Sequence, residues 1–252
     1  ICTATPSPND HMELGTQSEF LDVLPSHDML ARWFINDTSS FGTYTLKGHA
    51  VGPFWDWVSS WALCAGKPSD MGQIYSDDGY VLPELRVKQH VIGVDIAANR
   101  GGMLFRIPDM SATSVLKEKR LTASARAQKV AELVAAEPGE AWLIWCETDY
   151  EADALRAAIP NATEVRGSHS LESKEAALAG FVDGAVQILI SKASVAGFGL
   201  NFQHCARVAF VGPTFSYEMY YQAIRRTWRF GQKRPVHVHV VMAHTEAQVW
   251  GI

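Results

Sequence analysis

Val186-Gln-Ile-Leu-Ile-Ser-Lys-Ala-Ser-Val-Ala-Gly-Phe-Gly-Leu-Asn201 decides the fold. Val186–Ile190 is a short apolar run of the kind buried on both faces of a parallel sheet. Gly197 and Gly199 follow at the point where a parallel strand hands over to a loop. Open α/β sheets bind their ligands at that carboxyl edge, and glycine lets backbone N–H groups approach a phosphate or sugar closely. Ser191–Gln203 therefore reads as a phosphate- or sugar-approaching loop, although a Gly-Phe-Gly step taken alone is more often a turn. Working outward, further apolar runs fall at Ala141–Cys146, Ala162–Val165, Arg207–Val211 and Val236–Met242. Helical spacing separates them at Ser124–Ala136, Tyr150–Ala158, Leu171–Val182 and Ser216–Arg229, with Pro138-Gly139 and Pro160-Asn161 as stops. Strand and helix in alternation predict an α/β domain with a parallel sheet.

The last of those helices carries the most chemistry. On Gln222-Ala-Ile-Arg-Arg-Thr-Trp-Arg-Phe-Gly-Gln232, the spacing places Gln222, Arg225, Arg226 and Arg229 on one face and Tyr220, Ile224 and Trp228 on the other. Ser216 is the expected N-cap and Gly231 the expected stop. No acid stands between Glu218 and Glu246, while Arg225, Arg226, Arg229, Lys233 and Arg234 fall within ten positions. The formal net charge of −5 hides this: residues 185–252 carry seven Lys/Arg against two acids, residues 1–184 fifteen against 25. A solvated face mixes both signs, so three arginines without an acid predict an external anion. Arginine's planar fork suits phosphate in particular.

These stretches together resemble the superfamily 2 helicases and translocases, and among them the Swi/Snf-like DNA-dependent ATPases of phage type. Ala196-Gly-Phe-Gly-Leu-Asn-Phe-Gln203 is similar to their motif V and Gln222–Gln232 to motif VI. Cys2-Thr-Ala-Thr-Pro6 resembles motif III, Trp142–Cys146 with Glu147 and Thr148 motif IV, and Gly167 stands where the family has motif IVa. The resemblance implies a RecA-like parallel sheet flanked by helices at residues 111–252. Before it would come the end of the first RecA-like lobe at 1–10 and a mostly helical inter-lobe insertion and linker at 11–110. It implies Arg226 and Arg229 as arginine fingers, with Gly197, Gly199, Asn201 and Gln222 at the nucleotide. Thr148, Gly167, Ser191 and Lys192 would grip nucleic-acid phosphates. ATP and Mg²⁺ would be held mainly by the first lobe, and the partners would be that lobe and nucleic acid, as double-stranded DNA. The function implied is coupling of ATP hydrolysis to movement on DNA; the alternative is a non-enzymatic nucleic-acid-binding RecA-like module. Trp228 stands where the Swi/Snf-like members carry His.

The chain departs from a complete ATPase in lacking Gly-x-x-x-x-Gly-Lys-Ser/Thr and any Asp-Glu pair, and Gly66-Lys67-Pro68 cannot substitute. Alone it is expected to be inactive. It begins at Ile1 and stops at Ile252 just after a strand-like run, which reads as a fragment.

Its 47% hydrophobic and 19% charged residues are those of a globular protein. The longest apolar runs are far short of a bilayer span. Four scattered cysteines without paired spacing predict neither a disulfide framework nor a zinc knuckle, and fit a reducing, cytoplasmic setting. In the first 110 residues Phe54, Trp57, Val58 and Trp61 share one helical face, read as packing, and Val91–Ile96 reads as a strand. His237 and His239 lack a third ligand, so no metal site is expected. Asp77-Asp78-Gly79 reads as a turn, and Ser168-His169-Ser170 has no partner for nucleophilic chemistry.

Overall fold

The computed structural model describes residues 1–36, 44–93, 112–196, 200–212, 214 and 216–247. The chain divides into two compact units, Ile1–Asp77 and Asp78–Ile252.

The first unit contains α1 (Leu14–Phe20), α2 (Ser26–Trp33), the antiparallel strands β1 (Phe34–Asn36) and β2 (Tyr44–Leu46), and α3 (Val51–Trp61). As the spacing predicted, α3 turns Phe54 into the core, where it is fully buried with Leu14, Met29 and Phe34. Trp33 stacks on Trp57 at 4.6 Å, so these aromatics pack rather than face solvent together. Gly15 is required by contact: a Cβ there would lie 2.5 Å from Ser26 Oγ, so α1 and α2 approach as closely as they do only without a side chain. Lys47 Nζ donates to the carbonyls of Ala31 (3.0 Å) and Arg32 (2.9 Å), closing the free C-terminal end of α2.

The second unit is built on β3 (Leu85–Ile92), α4 (Ala112–Ala136), β4 (Trp142–Cys146), α5 (Asp149–Ala158), β5 (Thr163–Val165), α6 (Leu171–Val182), β6 (Ile188–Lys192), α7 (Ala193–Ala196), β7 (Arg207–Phe210), α8 (Tyr217–Ile224), β8 (Val236–Ala243) and α9 (His244–Ala247). Its six strands form one all-parallel sheet in the order β3-β8-β7-β4-β6-β5. This is the helix-flanked RecA-like sheet that the sequence predicts.

Both faces of the sheet are covered, which is why β4 has no polar position in Trp142–Cys146. Leu143, Trp145, Leu189 and Phe210 point toward Phe181 of α6 and Ile224 of α8. Trp142, Ile144, Ile190 and Ala209 point the other way, toward Val130 of α4 and Leu155 of α5. Two of these helices enter on a side-chain cap: Thr148 with Glu151 forms a capping box for α5, and Ser170 accepts from Ser173 N (3.2 Å) for α6.

Three boundaries differ from the sequence reading. Of the strand expected at Val91–Ile96, residues 94–96 lie outside the described residues; the described strand runs Leu85–Ile92 and is an edge strand of the sheet, paired with β8 along all eight residues. Its exposed edge position lets Arg86, Lys88 and Gln89 sit among its valines, which erased the apolar run that marks a buried strand. α4 starts twelve residues earlier than Ser124. β6 continues through Lys192, so Ser191 and Lys192 are strand rather than loop residues.

Candidate functional site

The Arg-rich segment enters as expected and leaves differently. Ser216 Oγ accepts from Met219 N (3.2 Å) and starts α8, but the helix stops at Ile224, not at Arg229. The carbonyls beyond it are claimed from outside. Phe202 N donates to Arg226 O (2.9 Å), and Gln232 Nε2 donates to Thr227 O (3.2 Å) and Cys205 O (3.0 Å). Buried Thr227 turns its own hydroxyl onto Ile224 O at 3.0 Å. Within the segment Arg226 N and Thr227 N donate three residues back, to Ala223 O (3.3 Å) and Ile224 O (3.0 Å), so the chain proceeds as turns. Gly231, at φ +88, closes that run in the left-handed region.

This docking brings the two candidate motifs together. Arg226 Nη1 and Arg229 Nη1 both donate to the carbonyl of Leu200, at 3.3 and 3.1 Å. Two guanidinium groups thus converge on one neutral oxygen, and among the described residues no carboxylate pairs with either. Arg226 Nε is buried without an acceptor. Burial, and then the charge of Arg229, push the Arg226 guanidinium below the ordinary arginine range. Two guanidinium groups so placed are able to share an anion. Asn201 lies one residue on, its side-chain oxygen accepting from Gln203 N (3.2 Å). Gln222 Nε2 donates to Glu218 Oε1 (2.9 Å). Gly197 and Gly199 lie outside the described residues.

Thr148, Gly167, Ser191 and Lys192 all sit at carboxyl ends of strands or just beyond. The first is the N-cap of α5. Lys174 Nζ donates to Gly167 O at 2.6 Å. Lys192 pairs with Asp149 at 2.8 Å, a bond that a phosphate could replace. Ser191 is 1% exposed and its hydroxyl donates to Val165 O (3.0 Å), which leaves it nothing to offer an outside phosphate in this conformation. An open cleft of about 320 Å³ at this edge is lined in part by Glu147, Ala193, Gly212, Met219 and Tyr220.

Sequence reasoning missed the polar cluster beneath that edge. Arg126 is fully buried on α4, where its guanidinium donates to Val211 O, Glu151 Oε1 (2.9 Å), Lys119 O (2.5 Å) and Thr122 Oγ1 (3.1 Å), with Glu246 Oε2 at 3.5 Å. Burial works to raise the Glu151 carboxyl, but Arg126, Lys119 and the backbone N–H of Glu147 outweigh it and hold it below the usual range. Glu246 goes the other way: burial raises it, and Arg126 offsets this only in part. Glu151 also accepts from Glu147 N (3.0 Å) and Thr148 N (3.1 Å), and Glu246 from Ala243 N (2.7 Å). One guanidinium therefore fixes the ends of β4, β7 and β8. A lone Arg on an amphipathic helix gives no signal of this in sequence, since its carboxylate partners, Glu151 and Glu246, stand far along the chain.

Residues 125–231 match the helicase conserved C-terminal domain. The matched segment runs from within α4 through both candidate motifs to Gly231. Among solved structures the chain is similar to the C-terminal part of the Fun30 ATPase domain, with 18% identity over 56% of this chain and 47% of that one and a TM-score of 0.45. It is also similar to a DEAD box protein from the hyperthermophile Methanococcus jannaschii (18% identity, 50% of this chain, 35% of that chain, TM-score 0.43). A third is the C-terminal domain of the DEAD-box protein Dbp5 (18%, 50% and 75%, TM-score 0.42). The chain spans about half the length of the Fun30 structure it matches. No curated protein matches it. Among the described residues, no helix is long and apolar enough to cross a membrane and no three His, Cys, Asp or Glu side chains could hold a metal ion.

Proposed function

We propose that this helicase C-terminal segment is the second RecA-like lobe of a nucleic-acid-dependent ATPase, of the Swi/Snf-like kind, working in the cytoplasm on double-stranded DNA. The observation that carries the reading is the convergence of Arg226 and Arg229 on the Leu200 carbonyl, with no carboxylate paired to either among the described residues. Such a pair fits the phosphates of ATP, and the orphaned Nε of Arg226 is a donor in want of a phosphate oxygen. Mg²⁺ would be held mainly by the partner lobe.

In this reading Arg226 and Arg229 place positive charge on the γ-phosphoryl as it leaves. Turning to phosphate would release Leu200 O, while the backbone bond from Phe202 N to Arg226 O keeps the two segments together. Asn201 and Gln222 would orient the nucleotide, with Gly197 and Gly199 giving its backbone room to approach. Thr148, Gly167 and Lys192 would hold nucleic-acid phosphates, with Lys192 exchanging Asp149 for phosphate and Ser191 bracing β6 beneath them. Because these contacts touch backbone, binding would be sequence-independent and weaken steeply with salt.

The test is DNA-stimulated ATP hydrolysis by the protein that joins this chain to its first RecA-like lobe. Arg226→Ala and Arg229→Ala are each expected to lower the stimulated rate about 10³-fold or more while DNA binding is retained. Stimulated hydrolysis within a few-fold of the unaltered protein in both variants would refute the assignment.

A further inference from the structure

A second flank of α8 carries a ridge that the nucleotide reading does not use. Tyr217, Tyr221 and Arg225 follow one another at four-residue intervals and so line one side of the helix and its C-cap. Tyr217 stacks on Tyr221 with ring centroids 6.0 Å apart and planes 27° from parallel. The Arg225 guanidinium lies over Tyr221 at 5.9 Å and over the Trp228 ring at 5.3 Å. Trp228 is in turn pinned by its indole N–H to Pro83 O at 2.7 Å. Close by in the chain, Phe230 packs on Tyr80 at 4.8 Å, and Gly79 at φ +78 allows the backbone against that ring, since a Cβ there would lie 2.7 Å from Phe230 Cε2.

Three of these rings face solvent: Tyr217 is 64% exposed, Phe230 53% and Tyr80 48%. Large apolar rings this exposed call for a partner. Charge says which kind. Among the described residues no carboxylate pairs with Arg225, Glu218 beside the ridge is engaged by Gln222, and no other acid occurs before Glu246. A guanidinium stacked between two aromatic rings keeps its in-plane N–H groups free for an anion. An exposed ring stacked in line with such a cation is the kind of element by which proteins hold unpaired bases and neighbouring phosphates.

We propose that the ridge Tyr217–Tyr221–Arg225–Trp228, continued by Phe230 and Tyr80, is a stacking platform for the unpaired bases of single-stranded nucleic acid. A base lies on the outer face of Tyr217, and Arg225, on the far side of Tyr221, takes a phosphate farther along the strand. This surface is distinct from the Leu200 carbonyl to which Arg226 and Arg229 turn, and the inference goes beyond the ATPase reading.

The experiment uses the 252-residue chain and measures fluorescence anisotropy, at one stated salt concentration, of labelled oligo(dT), an abasic strand of the same length and a blunt duplex. Oligo(dT) is expected to bind more tightly than the abasic strand. Tyr217→Ala is expected to weaken oligo(dT) about 5- to 100-fold, with Tyr217→Phe within about twofold of the original. Arg225→Ala is expected to weaken both single strands, because it acts on phosphate. Each variant is checked for an unchanged melting temperature; Tyr217, being a solvent-facing residue, tolerates the change. The proposal is overturned if oligo(dT) binds no better than the abasic strand, or if Tyr217→Ala binds oligo(dT) as tightly as the original. It is equally overturned if Tyr217→Ala alters only self-association in sedimentation, which would make the ridge a protein-docking face. None of these outcomes bears on Arg226 and Arg229, whose variants are read by ATP hydrolysis.

Discussion

Placing a methyl group at Gly212 tests the buried cluster that sets the carboxyl edge of the sheet. A Cβ there would stand 2.3 Å from Arg126 Nη1 and 3.0 Å from Glu151 Oε1. Non-bonded Cβ contacts below 3.0 Å essentially do not occur, so the guanidinium nitrogen has to retreat by at least 0.7 Å. It has nowhere to go, because the side chain is fully buried and each of its nitrogens is already bonded. Retreat breaks the bonds of Nη1 to Val211 O and Glu151 Oε1, two charge-assisted interactions with a buried charge left behind. The expected cost is about 3–5 kcal/mol, a fall of roughly 6–20 °C in melting temperature for a unit of this size. The control is a double-mutant cycle. Arg126→Met removes the obstacle, so adding Gly212→Ala to it is expected to cost under about 1 kcal/mol more. Stability is read from urea unfolding by circular dichroism, with amide exchange in β7 reporting on this unit. If Gly212→Ala melts with the original protein, or costs as much in the Arg126→Met background as with the arginine in place, the account of the cluster is wrong.

His239 faces His90 across β8 and β3, with its Nδ1 2.9 Å from His90 Nε2, and burial followed by the charge of His90 lowers it to about 4. An unfolded chain binds that proton from about pH 6.5, so the stabilisation is whole above that pH and is lost as pH falls toward 4, about 3 kcal/mol in all; His239→Gln should flatten the urea-stability profile over this window, and an unchanged profile would count against it. Burial pushes the Cys146 and Cys205 thiols up to about 12, while Cys2 and Cys64 are exposed, so a thiol reagent at about pH 8 should modify two cysteines quickly and the buried pair only on unfolding. Four fast modifications in the folded protein would contradict the buried placement. Gln232→Ala removes donors to Cys205 O and Thr227 O and an acceptor for Lys233 N and Arg234 N, at an expected cost of about 2–4 kcal/mol, read by thermal melting. A change under about 0.5 kcal/mol would show that these turns hold without the plug.

The parallel sheet was legible because burial on both faces leaves a mark in one dimension: Trp142–Cys146 and Ile188–Ile190 are apolar without a break, and helical spacing separates them. The charge asymmetry around Arg225, Arg226 and Arg229 was equally legible, since an acid-free run needs no coordinates to be seen. β3 was displaced in the reading because an edge strand buries only part of its surface and so tolerates Arg86 and Lys88. The helix read through Arg229 ends at Ile224, where the chain tightens into turns bonded three residues back and docks on Phe202 and Gln232, partners that local propensity does not register.

Sequence by itself thus determined the layered α/β architecture, the order of the strands along the chain and the excess of uncompensated arginine late in it, since each follows from the type and spacing of near neighbours. Tertiary structure alone decided that Arg226 and Arg229 meet over Leu200, that Ser191 faces inward, and that Arg126 joins three strand ends. Those facts depend on groups brought into hydrogen-bonding contact across tens of positions, and neither periodicity nor composition carries that distance.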